Sequence, residues 1–130
     1  MSVPTPPNPF RRLLGIEVAE RGGGLATCEI ASISPDLLQA AGIVHGGALS
    51  ALFDAATVEA ARSVYPEGTG IATIEMNLNF IRPVVEGRLI ATGKVEHPGR
   101  TTSVVLAQIR CNDKLIVTGR ATMSIIQPSH

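Results

Sequence analysis

The stretch "GIVHGGALSALFDAA", residues 42–56, decides how this chain reads. Gly46 and Gly47 open an apolar segment whose composition predicts a helix from Gly46 to about Tyr65, with no proline before Pro66. In its middle stands one carboxylate, Asp54. A carboxylate in an apolar element needs a partner or a function, because burying it alone is costly. At about 100° per residue, Asp54 shares a face with Gly47, Ser50, Ala51, Thr57, Val58 and Ala61. Leu49 and Leu52 mark the opposite, sheet-packing side together with Ala56 and Ala60. Glu59 falls well away from Asp54 on this wheel and reads as a solvated residue.

Downstream the period changes. In "TIEMNLNF", Ile74, Met76, Leu78 and Phe80 alternate with Glu75, Asn77 and Asn79, the two-residue repeat of a strand. Leu89, Ala91, Gly93 and Val95 repeat it, and "TTSVVLAQIRC" and "KLIVTGRATMSII" follow, joined by a turn at Asn112 and Asp113. Upstream, "IEVAE" and "LATCEIAS" are short strand candidates linked by "RGGG". "SPDLLQAAG" suits a connector or short helix, and "FRRLLG" one helical turn ended by Gly15. Residues 1–9 carry four prolines and read as a loose arm; residues 10–130 form one domain. Short turns between strands favour an antiparallel sheet, and a single apolar helix beside it should be wrapped by it. The expected class is α+β.

The 130 residues suffice for one real core, and 45% hydrophobic content with only 3% aromatic makes that core aliphatic. A net charge of zero gives no support to a nucleic-acid footprint. Cys28 and Cys111 form no CxxC pair or Cys/His cluster and read as two buried thiols of a reduced protein. The proline-rich start lacks the apolar core of a signal peptide, and no apolar run reaches the roughly 20 residues of a membrane helix. A soluble cytoplasmic protein is expected.

Two accounts of Asp54 are open from the helix alone. Ser50 or Thr57 satisfies it structurally, or it reacts. His45 likewise is a helix-start residue or a proton-transfer group, and Gly46 and Gly47 either allow close packing or admit a ligand. His45, Asp54 and His97 do not make a recognisable metal set. In the reactive account, the helix start presents unpaired N–H groups and a partial positive charge. The Gly46 N–H stabilises a developing oxyanion there, and Asp54 attacks the same carbonyl directly or through water. Yet eight residues at about 1.5 Å rise set the two roughly 12 Å apart, whereas reacting atoms must approach to about 3–3.5 Å. If they share a substrate, Asp54 comes from a second copy across a two-fold axis. A homodimer with two composite sites is therefore expected.

The ordered set G-x-x-HGG, the helix aspartate, "NFIRP" and "HPGRTTS" resembles the hot-dog-fold thioesterases of the phenylacetate-degradation and 4-hydroxybenzoyl-CoA type, over roughly residues 12–126. The resemblance implies an antiparallel sheet around one long central helix, and hydrolysis of an aryl-, phenylacetyl- or medium-chain acyl-CoA without metal or cofactor. It also implies assembly to a tetramer. Asp54 then stands at the catalytic carboxylate and Gly46 at the carbonyl-polarising amide, with Gly47 beside the substrate. Gln39 matches an Asn or Gln near the reacting group. Thr73 matches a Ser or Thr that positions water or the carboxylate, and His45 is the motif histidine that shapes the turn. Val58 replaces a hydroxyl residue found in some relatives. Arg82, Arg88, Lys94 and Arg100 are candidates for the CoA phosphates, Arg100 first because it lies with Thr101 in the G-R-T element. Leu52, Phe53 and Met76 suit an acyl pocket or the core equally. A thiolate leaves readily (thiol pKa ~8.5), so no histidine acid is required. A hot-dog hydratase or dehydratase, a non-catalytic acyl-CoA sensor and a structural dimer module are the rival readings.

Overall fold

A computed structural model describes residues 8–128. The arm expected over residues 1–9 lies outside them except at its end, and there the expectation needs correction. Pro9 begins helix α1 (Pro9–Leu14), with the Asn8 side chain accepting from the Arg11 amide at 3.1 Å. Proline is tolerated at a first helical position, where its missing N–H would have had no partner. Gly15 closes the helix in the left-handed region at φ 76°, as a C-terminal glycine does.

Six strands follow: β1 (Ile16–Gly22), β2 (Leu25–Ile30), β3 (Gly70–Phe80), β4 (Leu89–Pro98), β5 (Thr102–Cys111) and β6 (Lys114–Ile126). They form one antiparallel sheet in the order β1-β2-β4-β5-β6-β3, so β1 and β3 are its edges. Asn112 and Asp113 take φ values of 51° and 64°, the paired left-handed conformation that a tight two-residue hairpin turn demands. Helix α2 (Gly46–Arg62) crosses the concave side of the sheet and touches every strand.

Eleven of the 17 residues of α2 are buried, so the helix is covered on more than the Leu49/Leu52 side. A helix apolar nearly all round is what a core position demands. The closest approach is at Gly93 of β4, where a Cβ would lie 2.5 Å from the Ala56 carbonyl oxygen and 3.2 Å from the Ala60 methyl. Only glycine lets the helix sit this near the strand. Cys28 and Cys111 are both free and buried. Burial pushes the Cys28 thiol up to about 12, with nearby Arg11 working against the shift and Glu59 adding to it.

Two expectations fail here. Glu59 is not solvated: its side chain is 0% exposed and binds Arg11 Nη1 at 2.7 Å and Arg21 Nη1 at 2.5 Å, with Arg62 Nε at 3.4 Å. α1 and β1 cover that side of α2 and bring these arginines with them. Nor do Ile74, Met76, Leu78 and Phe80 share one inward face. β3 bulges between Thr73 and Glu75, where Ile74 is the extra residue against β6. The inward set becomes Ile71 and Thr73 before the bulge and Met76 and Leu78 after it, while Ile74 and Phe80 are 60% and 54% exposed.

Candidate active site

Asp54 faces β3 from the middle of α2. Thr73 Oγ1 donates to Asp54 Oδ1 at 2.6 Å and also lies 3.4 Å from Met123 Sδ. The expected structural partners are otherwise engaged: Ser50 Oγ donates to the Gly46 carbonyl, and Thr57 Oγ1 to the carbonyls of Phe53 and Asp54. One carboxylate oxygen is thus held, and the other accepts no hydrogen bond among the described residues. Asp54 is half-buried, so that second oxygen is within reach of a small molecule. The bulge at Ile74 makes this contact possible, because simple alternation from Met76 would turn Thr73 outward.

At the start of α2, His45 is the N-cap, and its Nδ1 accepts from the Gly47 amide at 2.7 Å. The imidazole proton therefore sits on Nε2. The Gly47 amide is taken, so the substrate contact expected of it cannot come from its N–H. The Gly46 amide donates to nothing among the described residues. This N–H is the one the helix start leaves open. Exchanging His45 for alanine is expected to remove about 0.5–2 kcal/mol of stability. His45→Asn should restore most of it, as chemical denaturation would measure.

Gln39 belongs to the loop before the helix, closed by the Leu38–Val44 bridge and a Gln39 N–H to Ile43 carbonyl bond of 2.8 Å. Its side-chain oxygen accepts from the Ala41 amide, so Gln39 organises its own turn. The loop after β3 is pinned to the same end by a Val44 N–H to Val84 carbonyl bond of 2.9 Å, which brings exposed Arg82 toward the helix start. The Phe80 ring lies beside Gly46, 3.4 Å from where a Cβ would be.

Exposed Arg100 and Thr101 lie at the other end of α2. The Tyr65 hydroxyl, just beyond the helix, donates to the Gly99 carbonyl at 2.6 Å, tying the β4–β5 turn there. Of the other two candidate cations, Lys94 is exposed, and Arg88 is paired with Glu29 at 2.7 Å. Leu52 and Phe53 are fully buried core residues, and Met76 packs against that core. Among the described residues, no three His, Cys, Asp or Glu side chains come together as a metal set, and no helix is long and apolar enough to cross a membrane.

One protomer thus holds Asp54 with Thr73 in mid-helix, and an open amide at Gly46 eight residues away. An antiparallel sheet curled round one long helix is the hot-dog fold. Solved structures align closely with it: conserved protein PA5202 from Pseudomonas aeruginosa at TM-score 0.89 and 30% identity, covering 92% of this chain and 94% of that one. Thioesterase HI1161 from Haemophilus influenzae aligns at TM-score 0.87 and 27% identity, over 95% and 86% of the two chains. Among sequences, 1,4-dihydroxy-2-naphthoyl-CoA hydrolase of Listeria monocytogenes is 28% identical over 118 residues, 89% of this chain and 94% of the relative. The thioesterase superfamily model matches residues 41–118. The chain belongs to the thioesterase superfamily and is a thioester hydrolase.

Proposed function

We propose that this protein hydrolyses an aryl-, phenylacetyl- or medium-chain acyl-CoA to the free acid and CoA, at sites shared between two protomers. The observation that carries the reading is the Asp54 carboxylate, pinned through Oδ1 by Thr73 and open at its second oxygen. The substrate carbonyl lies against the Gly46 N–H of one protomer, and Asp54 reaches it from the other. The amide stabilises negative charge as the carbonyl carbon becomes tetrahedral.

Asp54 acts in one of two ways. As a general base it takes a proton from water, whose oxygen attacks the carbonyl carbon. Collapse of the adduct breaks the C–S bond and releases the acid and the CoA thiolate. As a nucleophile its free oxygen attacks first, expelling the thiolate and forming an anhydride that water then opens. Single-turnover hydrolysis in heavy-oxygen water tests between them: label in Asp54 marks the anhydride, and its complete absence counts against that route. The open amide and the carboxylate together suit this chemistry better than a binding-only sensor, which needs no carboxylate on the helix.

Sharing between protomers follows from distance, since about 12 Å of helix separates the two groups. β3 offers a surface for the second copy: it is an edge strand, with Ile74 exposed on it. Two inactive variants test this together. Asp54→Ala removes the carboxylate; Gly46→Pro removes the amide proton at a first helical position that accepts proline. Unfolded and refolded as a mixture, they should regain about a quarter of wild-type activity, because half the dimers are mixed and each carries one intact site. Sites complete within one protomer would regain nothing.

A further inference from the structure

The first turn of α2 spends every amide but one. The His45 N–H donates to the Leu37 carbonyl at 2.7 Å, Gly47 donates to His45 Nδ1, and Ala48 donates to the His45 carbonyl at 3.0 Å. The Gly46 N–H alone has no acceptor among the described residues. A lone N–H at a helix start normally holds water. That water must leave before a carbonyl oxygen can dock. While water surrounds the amide, its high dielectric also weakens the pull of the N–H on developing charge.

One side chain stands against that hydration. Phe80 Cζ and Cε1 lie 3.4 and 3.6 Å from where a Cβ on Gly46 would be. Among the described residues, no other heavy atom outside Gly46's own stretch of chain comes within 4 Å of that point. Core packing does not account for the ring, which is 54% exposed. Its backbone is nonetheless fixed: Phe80 pairs with Val117 of β6, and the Ile81 N–H donates to the Ile116 carbonyl at 2.7 Å. By the two-residue repeat after the bulge, Phe80 follows Met76 and Leu78 on the helix side of β3, one step beyond the core. This strand therefore meets α2 at both reacting groups, at Asp54 through Thr73 and at Gly46 through Phe80.

We infer that Phe80 serves the hydrolysis through this amide: its ring keeps bulk water off one flank of the Gly46 N–H, which then meets the substrate carbonyl in a setting of low dielectric. This rests on the reading that Gly46 polarises the thioester carbonyl, and adds to it a positioning residue that acts through the amide. Negative charge on the carbonyl oxygen is largest in the transition state. Shielding therefore favours that state over the bound substrate. Its loss belongs in kcat rather than in KM.

Phe80→Ala, Phe80→Leu and Ile81→Ala test this in the full chain, by acyl-CoA kinetics and by solvent-exchange NMR at the Gly46 amide. Ile81 is the control, an apolar neighbour 46% exposed at the same end of β3. Phe80→Ala should lower kcat about tenfold and leave KM within about twofold. It should also quicken Gly46 exchange, while the Gly47 amide, bonded to His45, stays as it was. Phe80→Leu should restore most of both, because another bulky apolar group also excludes water. Ile81→Ala should change neither. Unaltered kcat or unaltered Gly46 exchange in Phe80→Ala, a loss confined to KM, an equal loss in Ile81→Ala, or no recovery in Phe80→Leu would each overturn the inference. A fully active Gly46→Pro would instead sink the underlying reading of the amide, and the inference with it, whatever the exchange in the Phe80 variants.

Discussion

Exchanging Asp54 for asparagine is expected to lower thioester hydrolysis by about 10²- to 10⁴-fold while the fold stays intact. Asparagine keeps the shape of the side chain and an oxygen that can accept from Thr73 Oγ1 across the 2.6 Å contact. What it loses is the charge and basicity of the second oxygen. Asp54→Ala should be as inactive, but it also strands the Thr73 hydroxyl. A panel of aryl-, phenylacetyl- and fatty acyl-CoAs, assayed with wild type and both variants, reads the effect in kcat. Turnover surviving in Asp54→Asn would sink the assignment. CoA binding without turnover in wild type would turn the protein into a sensor.

The second large effect concerns stability. Glu59→Gln is expected to cost about 3–5 kcal/mol, because it leaves Arg11, Arg21 and Arg62 without their carboxylate in a buried setting. Two of these side chains are only 12% and 10% exposed, so water cannot replace the lost partner. Arg62, at 36% exposed and 3.4 Å away, should matter much less, and Arg62→Gln is the matched control. Urea unfolding of the pair would show a large fall in midpoint for Glu59→Gln and a small one for Arg62→Gln. Similar falls would mean that the cluster contributes little.

Much of the fold was legible because it depends on local rules. Alternation marks the four long strands, the Asn-Asp pair marks the hairpin turn, and an apolar helix with glycines at its start stands out between them. The pairing of Asp54 with Thr73 came within reach only through the resemblance, since the register of β3 hides it. A one-residue bulge leaves no trace in a pattern of alternating Ile, Met, Leu and Phe. Strict alternation would put Ile74 and Phe80 on one face with Met76 and Leu78, yet both are exposed. Glu59 was missed for another reason. A wheel compares one helix with itself and cannot show that "FRR" and "ERG", far earlier in the chain, fold over its outer side. The signal was present as unmatched arginines near the N-terminus, but its meaning depends on contacts across 48 and 38 residues.

The outer rim of β3 carries a broader implication. Eleven residues long and bordered by β6 on one side only, it leaves a row of backbone donors and acceptors unspent. Strands in that condition recruit whatever extended chain they meet, including misfolded neighbours. A twin docked along this rim would hide the adhesive edge in the same act that brings Asp54 to its carbonyl. Protection from aggregation and enzymatic competence would then be selected together, and a lesion in either would surface as a defect in both.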